Sequence, residues 1–181
     1  MNELLSVDKS FNEAMFITKV NNIFIKLMNG VMFKDLDNIK HFISDDVYNK
    51  YKAIVDDLNK RGVSEVFDEL NVKDSFISDA RITDDKIVII VDLISRYMDY
   101  YIDSDGNYVT GVNDHRIEKL NRLTFVKDIN SKDIGIVRKC PSCGNSIDVN
   151  NSGKCSYCGH IYNNSDYDYI LSNIVTFDDY L

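Results

Sequence analysis

Most of the features that announce a specialised class of protein are missing from this chain. Proline occurs once, at Pro141, so long disordered linkers are not expected. No apolar run approaches the ~18 residues that cross a bilayer as a helix. The N-terminus has no basic stretch leading into an apolar core, so no secretory signal is evident, and a cytoplasmic location is expected. Positive charge is in deficit: 21 Lys and Arg stand against 29 Asp and Glu, for a net charge of −8 and a pI near 4.8. Neutralising phosphates needs a basic face, so nucleic acid is not expected as the main partner. Cysteine does not appear before Cys140.

What is present is ordinary in bulk. The 181 residues are 44% hydrophobic and 28% charged, enough for one domain plus a small appendage. No internal repeat or low-complexity tract is evident.

The four cysteines carry the readable chemistry. Cys140, Cys143, Cys155 and Cys158 are spaced C-x2-C-x11-C-x2-C. A two-residue gap lets both thiolates of a pair turn toward one ion, and zinc takes four such donors in a tetrahedron. Gly144 and Gly159 follow the second cysteine of each pair and permit a tight turn. Asn150, Asn151, Ser152 and Gly153 suit the turn between the pairs. The spacing predicts one structural zinc ion. Two disulfides are disfavoured without a sign of an oxidising compartment. A redox C-x-x-C pair is disfavoured by the second matched pair close by. His160 is an alternative ligand to one cysteine. Four thiolates and Zn²⁺ sum to −2, which Arg138, Lys139 and Lys154 can offset. Four thiolates leave no open position for water, so a catalytic zinc is not expected.

Upstream, residues 1–9 show no pattern. Ser10 and Glu13 form a capping-box signature. Phe16, Val20, Ile23, Phe24, Leu27 and Val31 recur at helical spacing. Gly30 and residues 34–37 suggest a break, followed by a short helix with Leu36, Ile39, Phe42 and Ile43 inward. Ser44 can cap a third helix with Val47, Tyr51, Ile54, Val55 and Leu58 as its stripe and Gly62 as its stop. From Val63 the pattern turns to strand. Val66–Thr83 reads as one long strand or a bent pair. Lys86–Asp103 is the strongest strand, and its apolar centre Ile87–Ile94 is expected to be covered by helices on one side and to meet something apolar on the other. Asp103–Asn107 is a hairpin turn. Tyr108–Gly111 and Arg116–Asp128 form the return. Residues 130–135 read as a polar linker. Ser165 or Asp166 would cap a last short helix with Tyr167, Ile170, Leu171 and Ile174 as its apolar side.

The expected fold class is therefore α+β: N-terminal helices packed on a curved antiparallel sheet, plus a small four-Cys zinc ribbon and a short C-terminal helix. The expected units are 8–129, 130–164 for the ribbon and 165–181 for a docking helix. A concave pocket is expected between the long helix and the sheet.

The order of these parts resembles the bacterial Tim44-like proteins that carry a zinc ribbon. The matching stretches are Val20–Leu27, Phe42-Ile43-Ser44-Asp45 with Tyr48 and Tyr51, and Asp99-Tyr100 with the following hairpin. The two cysteine knuckles and Tyr167–Ser172 match as well. The chain departs from that pattern at Met32-Phe33 and at Tyr169, where tryptophan is usual, and it lacks the membrane span many relatives carry. The resemblance implies the cone-shaped α+β fold of the nuclear-transport-factor-two-like superfamily. The apolar Ile87–Ile94 strand and the missing catalytic motif point to a non-catalytic binding or scaffold role of this class, with the concave pocket holding a lipid, a peptide, another apolar ligand or a protein partner, and with peripheral membrane contact. The −8 charge disfavours simple attraction to anionic lipid. Cone folds also host isomerases and dehydratases, so a small enzyme is the second reading. Its candidates are Asp92, Tyr97, Asp99, Tyr100 and His115; Tyr97 and Tyr100 read more simply as strand residues, and Asp92, Asp99 and His115 as exposed or hairpin-proximal groups. His41 and Asp178-Asp179 read as surface groups.

Overall fold

The computed structural model describes residues 2–9, 11–130, 137–140, 142–148, 155–159 and 168–177. Ser10, His160, the 150–153 turn, Ser165–Tyr167, Asp178-Asp179 and most of the expected 130–135 linker lie outside the described residues. So do the side chains of Arg138, Lys139 and Lys154.

The chain opens with α1 (Asn2–Val7), where no pattern was expected, and continues into α2 (Glu13–Met32). Asn12, rather than Ser10, caps α2; its side chain accepts the Met15 N–H at 2.9 Å. Gly30 does not break α2. A Cβ there would lie 2.9 Å from Leu36 Cδ2 and 3.0 Å from the Asp35 carbonyl, so glycine admits the returning chain. The short helix expected next is a set of turns with one 3-10 turn, Lys40–Phe42, although Leu36, Ile39 and Ile43 are buried as expected. α3 (Asp45–Arg61) starts and stops at the expected residues: Ser44 accepts the Val47 N–H, and Gly62 takes the left-handed conformation at φ 67°.

Three long strands follow: β1 (Val63–Ile82), β2 (Lys86–Asp103) and β3 (Tyr108–Asp128). The small hairpin β4 (Val137–Lys139) and β5 (Ser146–Asp148) comes next, then β6 (Ile170–Phe177). The main sheet is antiparallel in the order β1-β2-β3-β6.

β6 corrects the expected C-terminal helix. Leu171 pairs with Phe125 and Asn173 with Thr124, so Ser172 is an extra bulge residue. The bulge sets the inward side chains Leu171 and Ile174 three residues apart, and that step imitates helical spacing. The strand is also better satisfied than a lone helix. One edge pairs with β3, and carbonyls on the other edge accept from the helices: Tyr169 from Lys19 Nζ, Leu171 from Ser44 N and Ile174 from Lys50 Nζ, at 2.8–2.9 Å.

The core lies on one face of this sheet. Ile87, Ile89, Val91 and Leu93 of β2, with Leu123, Phe125, Leu171 and Ile174, pack with Phe16, Val20, Phe24 and Leu27 of α2 and with Val47, Val55 and Leu58 of α3. The Phe16 ring meets Phe125 and Tyr169 edge-on at 5.5 and 5.1 Å. Losing one such buried aromatic costs about 3–5 kcal/mol.

The sheet is bent along one row. β1 bulges between Asp68 and Asn71, with Glu69 at φ 53°, and β3 inserts residues 113–116 between Val112 and Ile117 opposite the same part of β2. Just beyond the bend, Gly111 at φ 112° crosses β2 so closely that a Cβ would stand 2.5 Å from the Asp99 carbonyl oxygen. The bend carries Val63–Asp68, Asp99–Asp103 and Tyr108–Val112 into a distal leaf beside the end of α3.

Candidate metal centre and the polar end of the sheet

The β4–β5 hairpin holds the first knuckle: the Cys140 N–H donates to the Asn145 carbonyl at 2.7 Å. Both knuckles close the same way. The Gly144 N–H donates to the Cys140 carbonyl at 2.8 Å and the Gly159 N–H to the Cys155 carbonyl at 2.9 Å, both glycines at φ 73°. This is the left-handed turn that the two glycines were expected to provide.

All four sulfurs, Cys140, Cys143, Cys155 and Cys158, lie within 4.8 Å of one another. Cys140 and Cys158 are 3.6 Å apart, and Cys143 and Cys155 are 3.8 Å apart. Donors at about 2.3 Å from one ion in a tetrahedron stand about 3.8 Å apart. Disulfide sulfurs stand at about 2.05 Å. The spacing is therefore that of a four-sulfur metal site. The thiols are not equivalent. The backbone N–H of Cys158, with that of Tyr157, brings Cys155 down to about 7. The Asn145 N–H favours ionised Cys143, but burial and the neighbouring sulfurs outweigh it and push that thiol up to about 11. Four thiolates so close together need a cation between them.

The candidates for turnover do not converge. Asp92 lies on the sheet face away from the helices. Contrary to the expectation of exposure it is buried, and it accepts both Arg122 Nε at 2.7 Å and Arg122 Nη2 at 2.8 Å. The Arg122 hydrogen bonds hold its carboxyl below the usual range. Tyr100 shares that outer face and lies beside Tyr108, ring centroids 6.4 Å apart. Tyr97 is on the inner face, buried edge-on against Phe67. Asp99 is close to the hairpin turn, as expected, but on the inner face, 3.4 Å from Lys119 Nζ. His115 sits in the exposed bulge, with Nδ1 2.7 Å from Asp114. His41 is half-buried, and burial with nearby Lys40 lowers its pKa.

A cluster absent from the sequence reading gathers where the inner face meets the bend. Glu65 and Tyr101 are direct cross-strand partners, and the Tyr101 hydroxyl donates to Glu65 Oε1 at 2.9 Å. The Arg61 guanidinium lies 5.3 Å from the centre of the same ring. Burial raises the Glu65 carboxyl, nearby Asp99 adds to this, and Tyr101, Lys119 and Arg61 oppose it. Burial, and then the charge of Glu65, pushes Tyr51 and Tyr101 up to about 12. The alternation of β1 and β2 contained the signal, but the bulges hid which residues face each other.

At the opposite end, Asp8 Oδ2 accepts from Lys127 Nζ at 2.9 Å and from the Tyr169 hydroxyl at 3.0 Å, all three residues buried. This network ties the chain after α1 to β3 and to the start of β6.

Residues 1–135 match the Tim44-like domain. The chain belongs to the Tim44-like domain family. No curated protein matches it. Family membership supports a scaffold or binding role for this Tim44-like chain, with protein or lipid interactions. Among its described residues no helix is long and apolar enough to cross a membrane. β6 lies beyond the matched segment yet completes its sheet, and residues 129–169 connect the two paired strands.

Proposed function

We propose that this Tim44-like protein is a binding module without turnover, docking a protein partner on the outer face of its sheet and stiffened by one structural zinc ion on Cys140, Cys143, Cys155 and Cys158. The observation that carries the docking is the outer face. Phe76, Val175 and Phe177 are 40–48% exposed there, beside half-buried Val88, Ile90, Ile94 and Leu120. The apolar strand Ile87–Ile94 thus splits: odd residues enter the core, and even ones face outward. At the centre of the patch Arg122 is held by Asp92, and its guanidinium lies 5.9 Å from the Phe177 ring centre. Apolar side chains around an anchored arginine beside an aromatic ring are the composition of protein interfaces. The zinc assignment is supported by the all-thiolate donor set and the tetrahedral sulfur spacing.

Native mass spectrometry of gently purified protein tests both parts. The expected species is a metal-loaded chain with a bound protein that is lost in a Phe76→Ser, Val175→Ser variant. A bound lipid unaffected by those substitutions, or a chain carrying metal alone, would overturn the docking. A chain without stoichiometric zinc would overturn the metal assignment.

A further inference from the structure

The four thiols of the metal centre differ in access. Cys143 and Cys158 are exposed, whereas Cys140 and Cys155 are 2% and 1% exposed. Each exposed sulfur has a buried sulfur of the other knuckle as a close neighbour: Cys158 faces Cys140 at 3.6 Å, and Cys143 faces Cys155 at 3.8 Å. We propose that this centre is an oxidant-responsive site, at which Cys143 or Cys158 attacks a peroxide and the facing buried cysteine then closes a disulfide across the knuckles, giving up the metal. The inference rests on the zinc reading above.

Zinc has no redox change of its own, so the electrons come from sulfur. The exposed thiolate attacks the peroxide O–O bond. An S–O bond forms, and the departing hydroxide takes a proton to become water. The sulfenic acid so made is the first step of thiol oxidation, and a nearby thiol condenses with it. The facing thiolate attacks that sulfur, the S–S bond forms, and the S–O bond breaks. The hydroxide that leaves takes a second proton. Each disulfide thus consumes two thiolates, one peroxide and two protons, and yields two waters. The sulfurs close from 3.6–3.8 Å to about 2.05 Å, a short movement. With both pairs closed, no thiolate remains to hold a cation. The knuckles stay tied by sulfur instead of metal, so reduction can restore the site.

Full-length metal-loaded protein is treated with graded hydrogen peroxide. Metal release is followed with a chromophoric chelator, and thiols are titrated in parallel. The expected result is metal release in step with thiol loss, reversed by a dithiol reductant and added zinc. Lys154 is the single Lys or Arg between the knuckles, so trypsin separates them. Cross-knuckle bonds keep the two peptides joined until reduction, whereas bonds within Cys140–Cys143 and Cys155–Cys158 leave them apart and overturn the proposal. Brief alkylation of the loaded protein is expected to mark Cys143 and Cys158 first, and the reverse order also overturns it. Loaded protein that keeps its metal and thiols under peroxide defeats this proposal alone. Protein purified without metal defeats the zinc reading as well.

Discussion

At the scale of single residues, the inner face of the sheet holds two charged clusters with opposite consequences. Glu65 is half-buried, and its pKa is raised above the ordinary value, chiefly by burial. A carboxyl raised by folding contributes stability that is fully present below its unfolded pKa and is lost as pH rises through the folded value. Glu65→Gln keeps an acceptor for the Tyr101 hydroxyl and removes the titration. The variant is expected to gain on the native protein between mildly acidic and neutral pH, read as urea midpoints. Midpoints that run parallel with pH would count against the role of Glu65. Asp8 and Lys127 behave differently, since both are buried and directly paired. Asp8→Ala strands a buried ammonium and is expected to cost about 3–5 kcal/mol. The Asp8→Ala, Lys127→Met double variant is expected to recover much of that loss. A double-mutant cycle with no coupling would contradict the pairing.

At the scale of elements, β6 completes the sheet although it lies outside the segment that matches the family. Leu171 and Ile174 are fully covered, and Tyr169 closes over Phe16. A chain ending at residue 167 loses these side chains and leaves the β3 edge unpaired. It is expected to unfold at lower urea than the full chain and to expose apolar surface to a hydrophobic dye. Equal stability of the two chains would show that the sheet does not need its fourth strand. The same element shows the limit of reading by period. The bulge at Ser172 inserts one residue, so the inward positions fall three apart and read as helix. The bulges in β1 and β3 likewise hide the bend that brings Glu65 and Tyr101 under α3.

At the scale of the whole molecule, the metal centre and the main core are distinct buried clusters among the described residues. Cys140 and Cys155 form their own buried cluster, and no cysteine joins the apolar core of helices and sheet. A metal held by the four cysteines would therefore supply most of the stability of the small β4–β5 hairpin, as in other small metal-dependent folds. Chelation under reducing conditions is expected to remove hydrogen-exchange protection from β4 and β5 while protection of β1, β2 and β3 persists. Loss of protection across the entire chain would show that the two parts fold as one unit.

What the amino acids alone determined was local. The metal knuckles, the Ser44 cap, the Gly62 stop and the Asp103–Asn107 turn each depend on residues a few positions apart, so spacing and side-chain chemistry suffice to read them. What only the tertiary structure decided was every feature made by distant partners. Asp8 meets Lys127 and Tyr169, Leu171 pairs with Phe125, and Asp92 grips Arg122 because strand pairing and packing bring together residues far apart in sequence. One bulge reverses which side chains face inward, and no pattern within a single segment records how many bulges its neighbour contains.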